Sequence, residues 1–350
     1  MMNGDGTQLN REQASRALAQ VLPRAEGQAA LVMLPSWMCA TAESLSAAMT
    51  ALGYQVTLAL QPEPDPVTMS VSDCADRWVP SGSRTETLMV LCGVRPWAES
   101  VAGDHLIEIE AMTRREALLA AGQRLLFIDW PRGARKDAEI DLRPDAMRAI
   151  YSRAFDIDYD VMRRWNEALL ARVAGAEEVR IRCPAGTDLR LSVAGRRWLP
   201  EDCILGDKEP AVYLPGGEIY TAAREDSAMG QVVFHHVGEQ RVARFAQGQL
   251  LSVEYADGTP DDALAEEMGV GHEPLCELGI GTNPWAPPWQ IGTLYEKSAG
   301  TVHVAVGGNA HFGGERDSPR HMDLIIRAPE LTINGESIPL PPALWQTKES

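Results

Sequence analysis

Histidines and carboxylates gather in the C-terminal third of this chain of 350 residues. Three of its seven histidines, His303, His311 and His321, lie within nineteen residues, and Asp323 follows two positions later. Mixed histidine and carboxylate ligands suit a borderline or hard divalent ion such as zinc, manganese, cobalt or ferrous iron. Because no paired cysteines lie nearby, a structural zinc site is disfavoured. The cluster therefore predicts a metal site with histidine and carboxylate ligands.

The segment from His321 to Asp323 leads into an apolar run, Leu324-Ile325-Ile326, that is typical of a β-strand. Alternate side chains of a strand point to the same face. We therefore expect His321 and Asp323 to share one face, as two ligands of one site would. The same pattern also fits an exposed edge strand in which these two side chains are hydrogen-bonded.

Three further side chains with metal-binding chemistry stand in apolar or glycine-rich surroundings. His303 lies within the apolar segment 302–306, where a histidine is either a hydrogen-bonded core residue or a ligand. Glu277 precedes a glycine-rich segment, and Glu218 enters an apolar run directly after Pro-Gly-Gly. Burying an unpaired carboxylate costs on the order of several kcal/mol. Each glutamate therefore needs a cation or a proton if it is buried, and is otherwise a solvated turn residue.

Five short motifs follow one another in the C-terminal half: Pro-Gly-Gly-Glu218-Ile-Tyr-Thr-Ala, Glu277-Leu-Gly-Ile-Gly-Thr-Asn, Glu296-Lys-Ser-Ala-Gly-Thr-Val-His303-Val-Ala-Val-Gly, His311-Phe-Gly-Gly and His321-Met-Asp323. In this order they resemble segments of the thermophilic-type metallo-aminopeptidases, the aminopeptidase T and S family. The resemblance covers roughly residues 178 to 335. For the N-terminal half it is only topological.

The resemblance implies an exopeptidase that cleaves an N-terminal peptide bond with a water activated by two divalent ions, zinc, cobalt or manganese. In this resemblance, the ligand or catalytic positions of the family fall on Glu218, Glu277, His303, His321 and Asp323. Glu296 falls near another such position. Glu218 is our candidate for the base that accepts the proton of the water. Members of the family are commonly dimers, so the resemblance also implies a homodimer.

Around residue 311 the chain departs from the family pattern. Many members carry a tyrosine just after the strand of the third ligand, where this chain has Asn309-Ala310-His311. His311 could replace the phenol as a hydrogen-bond donor to a tetrahedral intermediate, or it could orient a ligand. The departure leaves the substrate open, and a small-molecule amide fits the motifs as well as a peptide does.

A second family that this fold resembles, the dihydroxypyridine ring-cleaving dioxygenases, provides the main alternative. Its members hold one Fe(II) ion with two histidines and one aspartate, and they share the terminal motif formed here by His321 and Asp323. They have a histidine where this chain has Glu277, and they lack equivalents of Glu218 and His303. The carboxylate-rich pattern favours the hydrolase. Retention of all these positions also argues against a non-catalytic binding protein with a decayed site.

The elements that must position these side chains change character along the chain. The first half alternates strand-like apolar runs with helical patterns, which predicts an α/β N-terminal domain with a mostly parallel sheet over residues 1–150. From residue 178 onward, short period-two runs predict a β-rich α+β metal-binding domain, assigned to residues 151–350. The predicted helices include 42–52, 112–121 and a single stretch over 144–173 that bridges the two domains.

The charge balance limits the partners. The chain has 32 basic and 49 acidic side chains and a formal net charge of -17, which repels nucleic acid and anionic membrane surfaces. The N-terminus is polar rather than signal-like, and no apolar run approaches the roughly 18 residues of a membrane span. The six scattered cysteines suit a reducing compartment. We therefore expect a cytoplasmic protein that acts on a small peptide or amide.

Overall fold

The computed structural model describes residues 9–62, 68–81, 85–93, 104–130, 136–137, 140–141, 144–289 and 294–344. Its helices are α1 Arg11–Val21, α2 Cys39–Ala51, α3 Val71–Trp78, α4 Asp104–Ala120, α5 Pro144–Phe155, α6 Tyr159–Val173 and α7 Asp262–Met268, with short 3-10 helices at Ser36–Met38, Leu294–Lys297 and Ala310–Phe312. None of the helices in these ranges combines the length and apolar character that crossing a bilayer requires.

The strands, in chain order, are β1 Ala29–Pro35, β2 Gln55–Gln61, β3 Leu88–Cys92, β4 Arg124–Ile128, β5 Lys136–Asp137, β6 Ile140–Asp141, β7 Glu178–Arg182, β8 Asp188–Ser192, β9 Trp198–Glu201, β10 Ala211–Leu214, β11 Glu218–Ala222, β12 Met229–His236, β13 Glu239–Ala246, β14 Gln249–Tyr255, β15 Leu275–Gly281, β16 Val302–Gly307, β17 His321–Ile326, β18 Glu330–Ile333 and β19 Glu336–Ile338.

The chain divides into two compact units, one α/β and one β-rich, whose segments alternate along the sequence. The first comprises Met1–Ala134, Arg143–Asp160 and Cys203–Gly216, and the second comprises Arg135–Leu142, Val161–Asp202 and Gly217–Ser350.

The first unit contains the predicted parallel sheet. Its five strands lie in the order β10-β4-β3-β1-β2, and all neighbours are parallel. β3 is buried along its whole length, as expected for a parallel strand covered on both faces. Helix α2 packs on β1 and β2, and α4 packs on β4. The fifth strand, β10, lies more than eighty residues after β4 in the sequence, so a later segment of the chain completes the sheet.

Two of the predicted helices differ from the structure. The helical stretch 144–173 is two helices, α5 and α6, because side chains of α1 bind the backbone and side chains between them. Asp156 accepts a hydrogen bond from Arg16 Nε at 3.0 Å, and the backbone N–H of Tyr159 donates to Gln20 Oε1 at 2.9 Å. The helix predicted from residue 112 begins earlier, at the start of α4.

The second unit is built from two antiparallel sheets. One has five strands in the order β17-β16-β15-β11-β9, and the other has seven in the order β14-β13-β12-β8-β7-β18-β19. Alternate residues of the five-stranded sheet, among them Ile219, Leu278, Val304 and Leu324, enter a hydrophobic core that also contains residues of the seven-stranded sheet. The neighbours of these core residues must therefore point to the opposite face.

Candidate metal centre

Four adjacent strands bring the predicted ligands to the face opposite the core. Glu218 lies on β11, Glu277 on β15, His303 on β16, and His321 and Asp323 lie on β17. His321 and Asp323 share one face as predicted, with His321 Nε2 3.6 Å from Asp323 Oδ1. The four strands are neighbours in the sheet, although the residues they carry are spread over more than a hundred positions of sequence.

Small residues face the ligand side chains across this sheet. Gly279 pairs with His303, and a Cβ placed on Gly279 would lie only 2.1 Å from the imidazole. Ala305 pairs with both Glu277 and Asp323. Because these partners are small, they leave the space in which the larger side chains converge.

One half of the cluster is deeply buried. Glu218, Glu277 and His303 each offer a ligand atom, and these atoms lie within 4.8 Å of one another. His303 Nε2 lies 3.3 Å from Glu218 Oε2 and 3.6 Å from Glu277 Oε1. The His303 side chain is only 1% exposed, so this half is shielded from solvent.

The other half is more open. His321 Nε2 lies 3.2 Å from Glu277 Oε2 and 3.6 Å from Asp323 Oδ1, and the His321 side chain is 35% exposed. Its Nδ1 lies 3.2 Å from the carbonyl oxygen of Gly308. In the tautomer that donates this bond, Nε2 keeps its lone pair and faces the carboxylates.

Glu277 connects the two halves, because its two carboxylate oxygens face different histidines. Oε1 is on the side of His303, and Oε2 is on the side of His321. A carboxylate that presents one oxygen to each of two donor sets can bridge two ions. Glu277 therefore faces both histidines, and with Glu218 and His303 it forms a group that could hold a metal ion.

Glu296 lies beside the cluster, next to a buried lysine that the sequence motifs did not single out. Glu296 interacts with Asp323, and its Oε1 lies 2.8 Å from Lys297 Nζ. The same ammonium lies 2.7 Å from Glu218 Oε1 and 3.2 Å from Glu201 Oε2. Lys297 belongs to a short 3-10 helix, which has no periodicity from which its burial could have been predicted.

Burial shifts the protonation of the acidic groups. It raises the pKa of Glu218 to about 7. Burial and the adjacent Asp323 raise the pKa of Glu296 well above its usual range. Burial alone would lower the pKa of His321, but contacts with Asp323 and other neighbours raise it well above its usual range. Because metal ligands must give up their protons, binding of an ion here would release them.

The residues fit a bound divalent ion on chemical grounds. Two buried carboxylate oxygens of the cluster, Glu218 Oε2 and Asp323 Oδ1, have no hydrogen-bond donor among the described residues. Buried polar atoms are normally satisfied, so unsatisfied ones indicate a missing partner. A set of carboxylate oxygens and imidazole nitrogens suits zinc, cobalt, manganese or iron rather than a soft ion.

His311 lies at the exposed side of the cluster. It belongs to the short helix Ala310–Phe312 that follows β16, and its ring centroid is 6.5 Å from that of His321. Its side chain is exposed, unlike those of the buried ligand candidates. It is placed to meet a molecule that approaches His321 from solvent.

Solved structures include two proteins that are similar to almost the whole chain. The 2,5-dihydroxypyridine dioxygenase from Pseudomonas putida KT2440 has a TM-score of 0.63 and 16% sequence identity, covering 95% of both chains. Wild-type AmpT from Thermus thermophilus has a TM-score of 0.67 and 17% identity, covering 94% of this chain and 96% of its own. The resemblance inferred from the motifs is thus confirmed at the level of the fold. Neither protein-family models nor curated proteins match the sequence.

Proposed function

We propose that the protein is a metal-dependent hydrolase of the aminopeptidase type. It cleaves an N-terminal peptide bond or a related small-molecule amide with a water activated by two divalent ions. The ligands are Glu218, Glu277, His303, His321 and Asp323, with Glu296 beside them. Zinc, cobalt and manganese are the ions that this donor set suits best.

The position of Glu277 between the two histidines carries this proposal. Its oxygens lie 3.6 Å from His303 Nε2 and 3.2 Å from His321 Nε2, which supports one ion on each side. The fold shared with AmpT adds support, because the motifs that hold these residues resemble the aminopeptidase T and S family. A homodimer and a cytoplasmic location remain part of the proposal.

The side chains divide the chemical work. Two bound divalent ions would lower the pKa of a shared water and polarise the scissile carbonyl. Glu218, which lies at the buried half of the centre, is our candidate for the base that takes the proton of this water and returns it to the leaving amine. His311, on the solvent side of His321, is suited to donate a hydrogen bond to the oxyanion that forms. The more exposed His321 side is the route for substrate.

A mononuclear Fe(II) ring-cleaving dioxygenase is the second candidate, and the fold shared with the dihydroxypyridine dioxygenase supports it. In that case His321 and Asp323 would hold one ion. Two buried carboxylates, Glu218 and Glu277, then face the same centre. They add negative charge that one divalent ion does not balance. The hydrolase is therefore favoured.

Metal analysis of the purified protein, combined with an amide screen, tests the proposal. About two equivalents of zinc, cobalt or manganese and hydrolysis of aminoacyl amides are expected. The variants Glu218→Ala and His321→Ala should lose activity, whereas His272→Ala, an exposed histidine of the same unit, should retain it. About one equivalent of iron, with oxygen-dependent turnover of a dihydroxypyridine, would support the dioxygenase instead.

A further inference from the structure

Lys297 is a buried cation at the centre of a ring of carboxylates. Its side chain is 7% exposed, and its ammonium lies within 3.2 Å of Glu201, Glu218 and Glu296. A buried lysine usually forms an ion pair with one carboxylate, whereas the ammonium of Lys297 contacts three. We call Lys297 and these three glutamates the Lys297 junction. The junction lies directly beside the buried half of the candidate metal centre.

The ammonium engages one oxygen of Glu218 and leaves the other for the metal centre. Nζ lies 2.7 Å from Glu218 Oε1, while Oε2 faces His303 Nε2 at 3.3 Å. A free carboxylate can rotate and offer either oxygen, or both, to an ion. With Oε1 held by Lys297, only Oε2 faces the metal centre.

Glu201 fixes the backbone next to the same carboxylate. Its Oε2 accepts a hydrogen bond from the backbone N–H of Gly217 at 2.9 Å and also contacts Lys297 Nζ at 3.2 Å. Lys297 is thus connected to Glu218 through its side chain and, by way of Glu201, through the preceding residue. Both connections constrain the direction in which the Glu218 side chain points.

Charge balance supports the same conclusion. The carboxylates of the metal centre and the Lys297 junction are Glu201, Glu218, Glu277, Glu296 and Asp323. Lys297 places one positive charge within 3.2 Å of three of them, and buried charges are stable only when they are compensated.

We propose that Lys297 is a positioning residue: it holds Glu218 by Oε1 so that only Oε2 faces the metal centre, and it offsets part of the negative charge of the surrounding carboxylates. The inference rests on the proposed function. Its consequence is that the ammonium governs the geometry of Glu218 rather than the presence of the ions.

The test compares Lys297→Met with Lys297→Arg and with Lys208→Met, an exposed lysine as control. Each protein is loaded with cobalt(II), and its metal content, visible absorption spectrum, kcat and KM for an aminoacyl amide are measured. For Lys297→Met we expect two equivalents of cobalt, an altered spectrum, and a kcat reduced about 100-fold at nearly constant KM, because small misplacements of a catalytic group are costly. The arginine variant should recover part of kcat.

Because Lys297→Met leaves buried carboxylates unpaired, a second variant, Lys297→Met with Glu201→Gln, removes one negative charge together with the lysine. A wild-type spectrum and kcat in either variant would overturn the inference. If melting temperature, metal content and kcat all fell together in both variants, Lys297 would have a purely structural role, and the inference would also be overturned. If the wild-type protein bound no cobalt, the proposed function itself would fail, which is a separate outcome.

Discussion

The imidazole of His303 lies against the backbone of Gly279, its partner on the neighbouring strand. A methyl group at Gly279 would come within 2.1 Å of the ring. Only a hydrogen atom at this position leaves the ring of His303 in place. Glycine is therefore needed here because of the space that the imidazole occupies, and not because of the backbone conformation of the strand. This relationship gives the first prediction.

Substitution of Gly279 by alanine should displace His303. We expect the free energy of unfolding to fall by about 1 to 3 kcal/mol, as is usual for overpacking a filled site, and the metal content to fall with it. Urea denaturation and metal analysis measure the two effects. Gly206→Ala is the matched control, because its added methyl group would have no neighbour within 4 Å. Unchanged metal content in Gly279→Ala would contradict the assignment of His303 as a ligand.

The two halves of the centre should be separable by mutation. Because His303 and His321 face different oxygens of Glu277, replacing either histidine by alanine should leave about one equivalent of metal, held by the other half. Glu277→Gln removes the shared ligand and should abolish binding at both. Calorimetric titration with zinc measures the stoichiometry. Loss of both ions on replacement of one histidine would show that the halves do not bind independently.

His311 should affect catalysis without affecting metal content. As a donor to the developing oxyanion, its loss should reduce kcat by about 100-fold, while metal equivalents in His311→Ala match those of the wild type. Steady-state kinetics with an aminoacyl amide and metal analysis of the same sample provide the two readouts. A variant that also loses metal would assign His311 the other role, that of orienting a ligand.

Away from the metal centre, Asp261 should make stability depend on pH. It accepts a hydrogen bond from Arg241 Nε at 2.7 Å and caps α7 through the N–H of Leu264. The Arg241 hydrogen bond holds the pKa of Asp261 below its usual range. Since the folded pKa is lower than the unfolded one, this stabilisation is present above the ordinary pKa of aspartate and is lost as the pH falls toward the folded value.

The variant Asp261→Asn keeps a residue suited to the helix cap but loses the ion pair. At pH 7 we expect its free energy of unfolding to be lower than that of the wild type by about 1.5 to 3 kcal/mol, with the difference shrinking below about pH 4. Urea titrations at several pH values measure it. Asp262→Asn, an exposed neighbour, should show no such trend, and a difference independent of pH would contradict the role of the charge.

Those parts of the fold that depend on the local pattern of apolar and polar residues can be predicted from the sequence alone. The parallel strands β1 to β4 follow from apolar runs, and the shared face of His321 and Asp323 follows from the two-residue period of a strand. The apolar surroundings of Glu218 and Glu277 predict that each needs a partner if it is buried, and both are buried. Their roles as ligands stay predictions.

Other features depend on contacts between distant residues and could not be read locally. Glu201 and Lys297 are 96 positions apart and meet only because β9, β11 and β15 are neighbours in one sheet. The break between α5 and α6 depends on Arg16, which no pattern around Asp156 reveals. The pairing of β10 with β4 is likewise a matter of strand register across a long separation.

The strand order β17-β16-β15-β11 also bears on how the centre is assembled during folding. β15, β16 and β17 follow one another as a meander and carry four of the five proposed ligands, whereas β11 is separated from β15 by the hairpins of the other sheet and by α7. We expect closure of that long excursion to be the slower step, because the entropy of ordering the intervening chain is lost before the pairing is gained. Glu218 would then be the last of the proposed ligands to arrive, and during refolding the amides that join β11 to β15 should gain protection from hydrogen exchange later than those of the meander.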